Sequence, residues 1–509
     1  MMTSYLIAKD ILECQDIHLI AKMANRHGLI AGATGTGKTI TLRKLAESFS
    51  ASGVPVFLSD VKGDLSGIAK AGEMTGKVGE RMAEFGLSSE YLSGFPVRFW
   101  DVFGEMGIPV RVTVSQMGAM LLARLMELND TQEGLLTILF RVADDNGWQV
   151  IDLKDLRSLL QYISDNAAEY RAQYGNIAPA SVGTISRKLL QLESQGANTF
   201  FGEPSLRLSD WLQTHQGKGV INILNATKLM QNPRLYSAFL LWFLAQLFSE
   251  LPEVGDLPQP KFVLFFDEAH LLFDNSSKAL IEQIEQVVRL IRSKGVGVYF
   301  VTQNPLDLPE SILGQLGNRV QHALRAFTPK DQKAVKTAAD TFRPNPLVDT
   351  KTAITELGVG EALVSVLQAD GTPSMVQRAH IMPPSSSLPP LQDSELTAII
   401  NNDALLGYYR QMVDNYSAFE ALNDKATQTQ ASQGATTNTS QASNASPQED
   451  VKQEPSALDG FLGGLMGGRK KSGQGMAYNV ADAVGSQLNK QATKAISRGL
   501  MGVIKNLLK

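Results

Sequence analysis

The chain has 509 residues, 43% of them hydrophobic and 19% charged. That composition is globular, excludes a wholly disordered protein and allows about two to four domains. A formal net charge of −4 excludes a uniformly basic nucleic-acid coat but not a local basic groove, and the single cysteine, Cys14, excludes a disulfide framework or cysteine-rich zinc module.

The N-terminus, MMTSYLIAKDILECQD, reaches Asp10 and Glu13 before any signal-type apolar run develops. The longest apolar stretch, AFLLWFLAQLF at 238–248, falls well short of the ~20 residues that span a bilayer. With the one cysteine, these features predict a cytoplasmic protein without a transmembrane segment.

Short apolar runs predict strands at 29–32, 54–60, 97–101, 220–224, 262–267, 298–302 and 319–324. Further candidates at 361–367 and 375–381 are expected at the sheet edge. Helical patterns at 38–51, 232–250, 277–293 and 329–340 lie between them. That alternation predicts an α/β fold, a parallel sheet with helices on both faces. Residues 116–195 read as helical with no convincing strand. The expected organisation is an α/β domain in two parts, 1–115 and 216–420, interrupted by an all-helical insertion at 116–215.

Residues 421–468 are rich in Ala, Ser, Thr, Gln and Asn, lack aromatics over 425–460, and read as a disordered linker. Residues 469–509 carry eight Lys/Arg against one acid, Asp482. Val480, Val484, Leu488, Ala492, Ile496, Leu500, Ile504 and Leu508 recur there at helical spacing, which predicts a basic amphipathic helix. Its apolar face can dock on its own domain, a neighbouring subunit or another protein, and its cations suit an acidic surface, nucleic acid or, less readily, a membrane surface.

Gly32-Ala33-Thr34-Gly35-Thr36-Gly37-Lys38-Thr39 matches G-x-x-x-x-G-K-[ST], between a predicted strand and a predicted helix. Glycines let backbone N–H groups turn inward on phosphates, and the helix N-terminus adds its positive end. Lys38 would reach the β/γ-phosphates and the Thr39 hydroxyl would ligate Mg²⁺. The run FVLFF delivers Asp267 and Glu268 to a strand end. Asp267 suits the Mg²⁺ outer shell, and Glu268 suits polarisation of an attacking water. The strand VYFVT ends on Gln303, placed to hydrogen-bond the γ-phosphate or the water; a turn-initiating amide before Pro305 is the alternative. His270 either faces this site or caps a helix start.

GATGTGKT, FFDEAH and TQNP, with IRSKGVG upstream, resemble the HerA–FtsK superfamily of ring-forming motor ATPases. SDVKGDLSG at 59–67 and FFGEPSL at 200–206 are more similar to a bacterial branch of HerA-like helicases. The resemblance spans most of residues 20–380 and implies a P-loop NTPase with a RecA-like sheet that hydrolyses ATP with Mg²⁺. It also implies a hexameric ring with ATP sites between subunits and arginines supplied in cis or trans. By position Arg292, and less so Arg289, matches the family's site-proximal arginine, while Arg319 and Arg325 are candidates for the trans arginine. Asp60, Lys62 and Asp64 could orient Mg²⁺ waters or transmit nucleotide state, or form a solvated turn. Only 31 residues precede Gly32, too few for the β-barrel that HerA motors carry there. Two readings follow: a motor moving DNA, or less readily RNA or protein, and a nucleotide-gated scaffold that hydrolyses slowly and docks partners through its C-terminal helix. The resemblance favours the motor.

Overall fold

The computed structural model describes residues 3–175, 177–273 and 278–437. Strands β1 (Ser4–Asp10) and β2 (Asp16–Ile20) form a hairpin. β3 (Gly28–Ala31), β4 (Val56–Asp60), β5 (Val97–Asp101) and β6 (Ile108–Pro109) come next. β7 (Thr214–His215) and β8 (Lys218–Gly219) pair as a small ribbon. β9 (Ile221–Asn225), β10 (Phe262–Phe266), β11 (Val296–Thr302), β12 (Asn318–Gln321), β13 (Glu361–Ser365) and β14 (Gln377–Ile381) complete the set.

Twelve of these make one sheet in the order β2-β1-β14-β13-β12-β3-β11-β10-β4-β9-β5-β6. From β12 to β6 every pairing is parallel; from β12 back to β2 every pairing is antiparallel. The α/β expectation holds, and each strand predicted in the core is present within a few residues. β13 and β14 were expected at the edge, yet β1 and β2 lie outside them. The N-terminal residues thus extend the sheet as a hairpin.

Strand alternation builds a core on each face. Val263 and Phe265 of β10 point with Leu58, Ile30 and Tyr299 toward helix Lys38–Ala51, where Phe49 meets the Phe265 ring at 6.3 Å. Phe266 points the other way, toward Phe57, which stacks on Trp211 at 5.0 Å and tilts against Phe243 at 5.2 Å. Phe243 belongs to helix Pro233–Glu250, so the long apolar run is a buried helix of the domain. Among the described residues no helix is long and apolar enough to cross a membrane.

The helical segment runs from Val114 through Ser194 in five helices. Three of them open on reciprocal side-chain caps, Thr113 with Gln116, Asn129 with Gln132 and Asp152 with Asp155. The expected boundary at 215 is too late. Phe200, Phe201 and Trp211 are buried, Trp211 against Trp100 and helix Pro233–Glu250, so the chain has already rejoined the α/β core. The expected linker is also overturned in its first part, where helix Ala418–Thr437 continues past residue 421. Missing aromatics argue against burial, but Ala and Gln still favour a helix. The remainder of that linker and the basic helix at 469–509 lie outside the described residues.

A strap at 383–390 crosses behind helix Lys38–Ala51. The buried Glu47 carboxylate accepts from the Ser385 N–H (2.7 Å), the Ser386 N–H (3.1 Å) and both serine hydroxyls (3.0 and 2.5 Å). Glu47→Ala leaves those donors buried without partners, and chemical denaturation should show a loss of about 2–4 kcal/mol. An unchanged midpoint would contradict the role given to this carboxylate.

Candidate functional site

Parallel register brings the sequence-predicted groups to one edge. Ala31, the last residue of β3, pairs with Thr302 on β11, and Phe266 of β10 pairs with Phe300 of β11 and Ser59 of β4. The phosphate loop, Asp267-Glu268, Gln303 and the 60–65 turn therefore all leave the carboxyl ends of adjoining strands, where open α/β sheets bind ligands.

The loop is built by close backbone approach. Gly32 N–H donates to Thr302 O (3.3 Å) and Ala33 N–H to Ala323 O (2.8 Å), which seats the loop between the ends of β11 and β12. The Thr36 hydroxyl closes it on Ala33 O at 2.7 Å. Gly32 has φ +153°, and a Cβ there would lie 2.5 Å from His322 Cβ, so only glycine fits. Lys38 lies inside the loop, its Nζ donating to Gly32 O (2.6 Å) and Ala33 O (3.1 Å). Burial, followed by the nearby Lys62 ammonium, lowers its pKa. Thr39 opens the helix beside it, half-buried.

Glu268 is buried with left-handed backbone, φ 48° and ψ 50°, a conformation costing about 1–2 kcal/mol for a residue with a Cβ. The turn is held from behind. Tyr236 Oη donates to Asp267 O at 3.3 Å and shares a 2.5 Å hydrogen bond with Ser59 Oγ. Three side chains converge on the Glu268 carboxylate: Lys62 Nζ at 3.2 Å, Gln303 Nε2 at 3.4 Å from each oxygen, and His270 Nδ1 at 3.6 Å. Asp267 lies 4.0 Å from Lys62, and burial raises its pKa to about 6 although Lys62 pulls the other way. For Lys62, burial pulls the pKa down, but Asp267 and Glu268 outweigh it and the net shift is upward.

One residue here, His322, escaped the sequence reading, and another was read there only among alternatives. Lys62, with Asp60 and Asp64, was expected to orient Mg²⁺ waters, to transmit nucleotide state or to form a solvated turn. The turn exists because Asp60 accepts from the N–H groups of Gly63 (2.7 Å), Asp64 (3.3 Å) and Leu65 (3.0 Å); it aims Lys62 at the neighbouring strand's acids. His322, fully buried, bridges Thr41 Oγ1 (2.8 Å) and Glu361 O (2.9 Å) under the loop, and burial pushes its pKa down to about 4. No local signal in the sequence marks it, since it follows the polar strand Asn318–Gln321.

The predicted arginines separate. Arg292 precedes β11 and lies at the amino edge, where its carbonyl accepts from Asn25. Seven strand residues, roughly 23 Å, divide it from the Gln303 end, so Arg292 cannot serve the site of its own chain. Arg289, exposed, lies one turn earlier. Arg319 opens β12 at that same edge, its guanidinium donating to Leu316 O (2.9 Å), Leu313 O (2.7 Å) and Thr341 O (3.0 Å). Arg325 alone of the four lies past a strand's carboxyl end on the loop side, exposed.

For a divalent cation the fit is partial and of a recognisable kind. The described residues contain no cluster of three His, Cys, Asp or Glu side chains. One hydroxyl, Thr39, and one carboxylate, Asp267, suit a hard cation that takes its other oxygens from water and phosphate.

Residues 6–507 match the family described as Helicase HerA-like C-terminal. The chain belongs to that family. It is 30% identical over 99 residues to the DNA double-strand break repair helicase HerA of Sulfolobus acidocaldarius, 19% of each chain. It is 29% identical over 103 residues to the helicase of the same name from Saccharolobus solfataricus, 20% of this chain and 19% of that one. The matched segments thus span about a fifth of these relatives. The plasmid coupling protein TrwB, solved in complex with ADP and Mg²⁺, superposes on 77% of the chain and 98% of its own with a TM-score of 0.50 at 13% identity. That likeness shows the P-loop NTPase fold.

Steric crowding at the loop is testable by substitution. Gly32→Ala should destabilise the protein by about 2–4 kcal/mol, whereas Gly35→Ala, also at positive φ but with nothing within 4 Å of its Cβ, should cost only about 1 kcal/mol. Equal losses in thermal or urea melts would contradict the packing of His322 under Gly32.

Proposed function

We propose that the chain is an ATP-hydrolysing, HerA-like motor that assembles as a homo-oligomeric, hexameric ring and moves DNA. The observation that carries this is the meeting of the phosphate loop with Glu268 and Gln303 at one sheet edge. Phosphate binding alone needs no carboxylate on a strained turn; activation of water does. Family membership and the naming of the HerA relatives as DNA helicases support the motor over a nucleotide-gated scaffold.

In this reading the loop N–H groups and Lys38 hold the β/γ-phosphates, Thr39 would ligate Mg²⁺ and Asp267 would hold it from its outer shell. Bound there, Mg²⁺ would neutralise charge on the phosphoryl oxygens. Glu268 orients the attacking water and accepts its proton, and Gln303 fixes the carboxylate and the water relative to each other. Arg325, exposed on the loop side, is the preferred arginine to act on a neighbouring subunit's nucleotide. Arg292 and Arg319 could do so only across an interface that joins one subunit's amino edge to another's site, and the three hydrogen bonds of Arg319 count against it.

Lys38→Ala should abolish nucleotide binding, and Glu268→Gln should bind ATP while phosphate release falls by roughly 10²-fold or more. Wild-type turnover should rise several-fold with DNA at low salt. A rate indifferent to single- and double-stranded DNA would contradict the DNA motor and favour the scaffold.

Acid should act through Asp267. Its carboxyl is neutral below about pH 6, so the Mg²⁺-dependent share of nucleotide affinity should fall roughly tenfold per pH unit beneath that point. Asp267→Asn should remove that share and its pH dependence together. An affinity step centred near pH 4 in the wild type would contradict the burial of this carboxylate.

A further inference from the structure

Lys62 contacts the acidic pair of the site from a different strand. Ser59 of β4 pairs with Phe266 of β10, so the residues that follow each strand face one another. That register puts the Lys62 ammonium 3.2 Å from Glu268 Oε1 and 4.0 Å from Asp267 Oδ2. The backbone carrying it is fixed. Asp60 pins Gly63, Asp64 and Leu65 by their N–H groups, and the buried Arg43 guanidinium donates to Asp64 O and to Ser387 O of the strap. The Lys62 side chain itself is 42% exposed, so its ammonium can change partner while the turn stays in place.

An ammonium on Oε1 occupies a position that a lytic water needs on Glu268. A terminal phosphate lying beyond Lys38 would bring a larger negative charge to the same space and compete for that ammonium. We propose that Lys62 is the γ-phosphate sensor of this site: it leaves Glu268 for a terminal oxygen of a bound nucleoside triphosphate and thereby releases Glu268 to the water. A nucleoside diphosphate offers no such oxygen and leaves the Lys62–Glu268 pair intact. Lys62 is then a positioning residue for Glu268 as well as a contact to the triphosphate. The proposal rests on the ATPase reading above.

The test is equilibrium calorimetry of ADP and of a non-hydrolysable ATP analogue, each with Mg²⁺, on the full chain. In Lys62→Met, ADP affinity should stay within about twofold of wild type while analogue affinity falls about tenfold. Lys62→Arg, which keeps the charge, should recover most of the lost analogue affinity. Equal losses for both nucleotides, or no loss for either, would overturn the sensor. A wild-type chain that binds neither nucleotide would instead overturn the ATPase reading beneath it.

Discussion

The site depends on one constraint, the parallel register of β3, β11, β10 and β4. In a parallel sheet neighbouring strands end on the same side, so segments far apart in the chain deliver their next residues to one edge. Residues 32–39, 60–65, 267–268 and 303 meet for this reason and no other. The same rule puts the residues before β11 and the start of β12 at the opposite edge, which is why Arg292 and Arg319 stand away from the loop that follows β3.

Charge and strain at that edge are balanced against each other. Two lysines and two carboxylates share a largely buried space, and Lys62 links the acids while Lys38 rests on loop carbonyls. Glu268 keeps a left-handed backbone because Tyr236, Ser59 and the core strand β10 hold the turn. Behind the loop, Glu47 and Arg43 tie the loop's helix to the strap, and Arg43 ties it also to the turn that carries Lys62. Phosphate loop, turn and strap therefore form one hydrogen-bonded assembly, in which a shift of the loop would be felt at Lys62.

Much of this was legible in the sequence where the signal is local. The phosphate loop is contiguous, and the apolar run before Asp267-Glu268 places both acids just past a strand end. Partnerships that depend on strand order were not legible. Lys62 gains its role only because β4 lies next to β10, and His322 only because β12 lies next to β3. Which sheet edge each arginine occupies was not legible either, since distance along the chain says nothing about which end of a sheet a residue reaches. β1 went unread because its sheet partner is β14, with Ala8 opposite Ile381, and β2 because it joins the sheet only through β1. Helix Ala418–Thr437 shows the converse error, in which polar composition was read as absence of structure.

The central claim is that this sheet edge hydrolyses ATP. Phosphate release by the purified wild-type chain, with Mg²⁺ and then with a chelator, tests it most directly. The account predicts steady multiple-turnover release with Mg²⁺ and its loss on chelation. Tight ATP binding without any release, with Mg²⁺ and DNA both present, would contradict it.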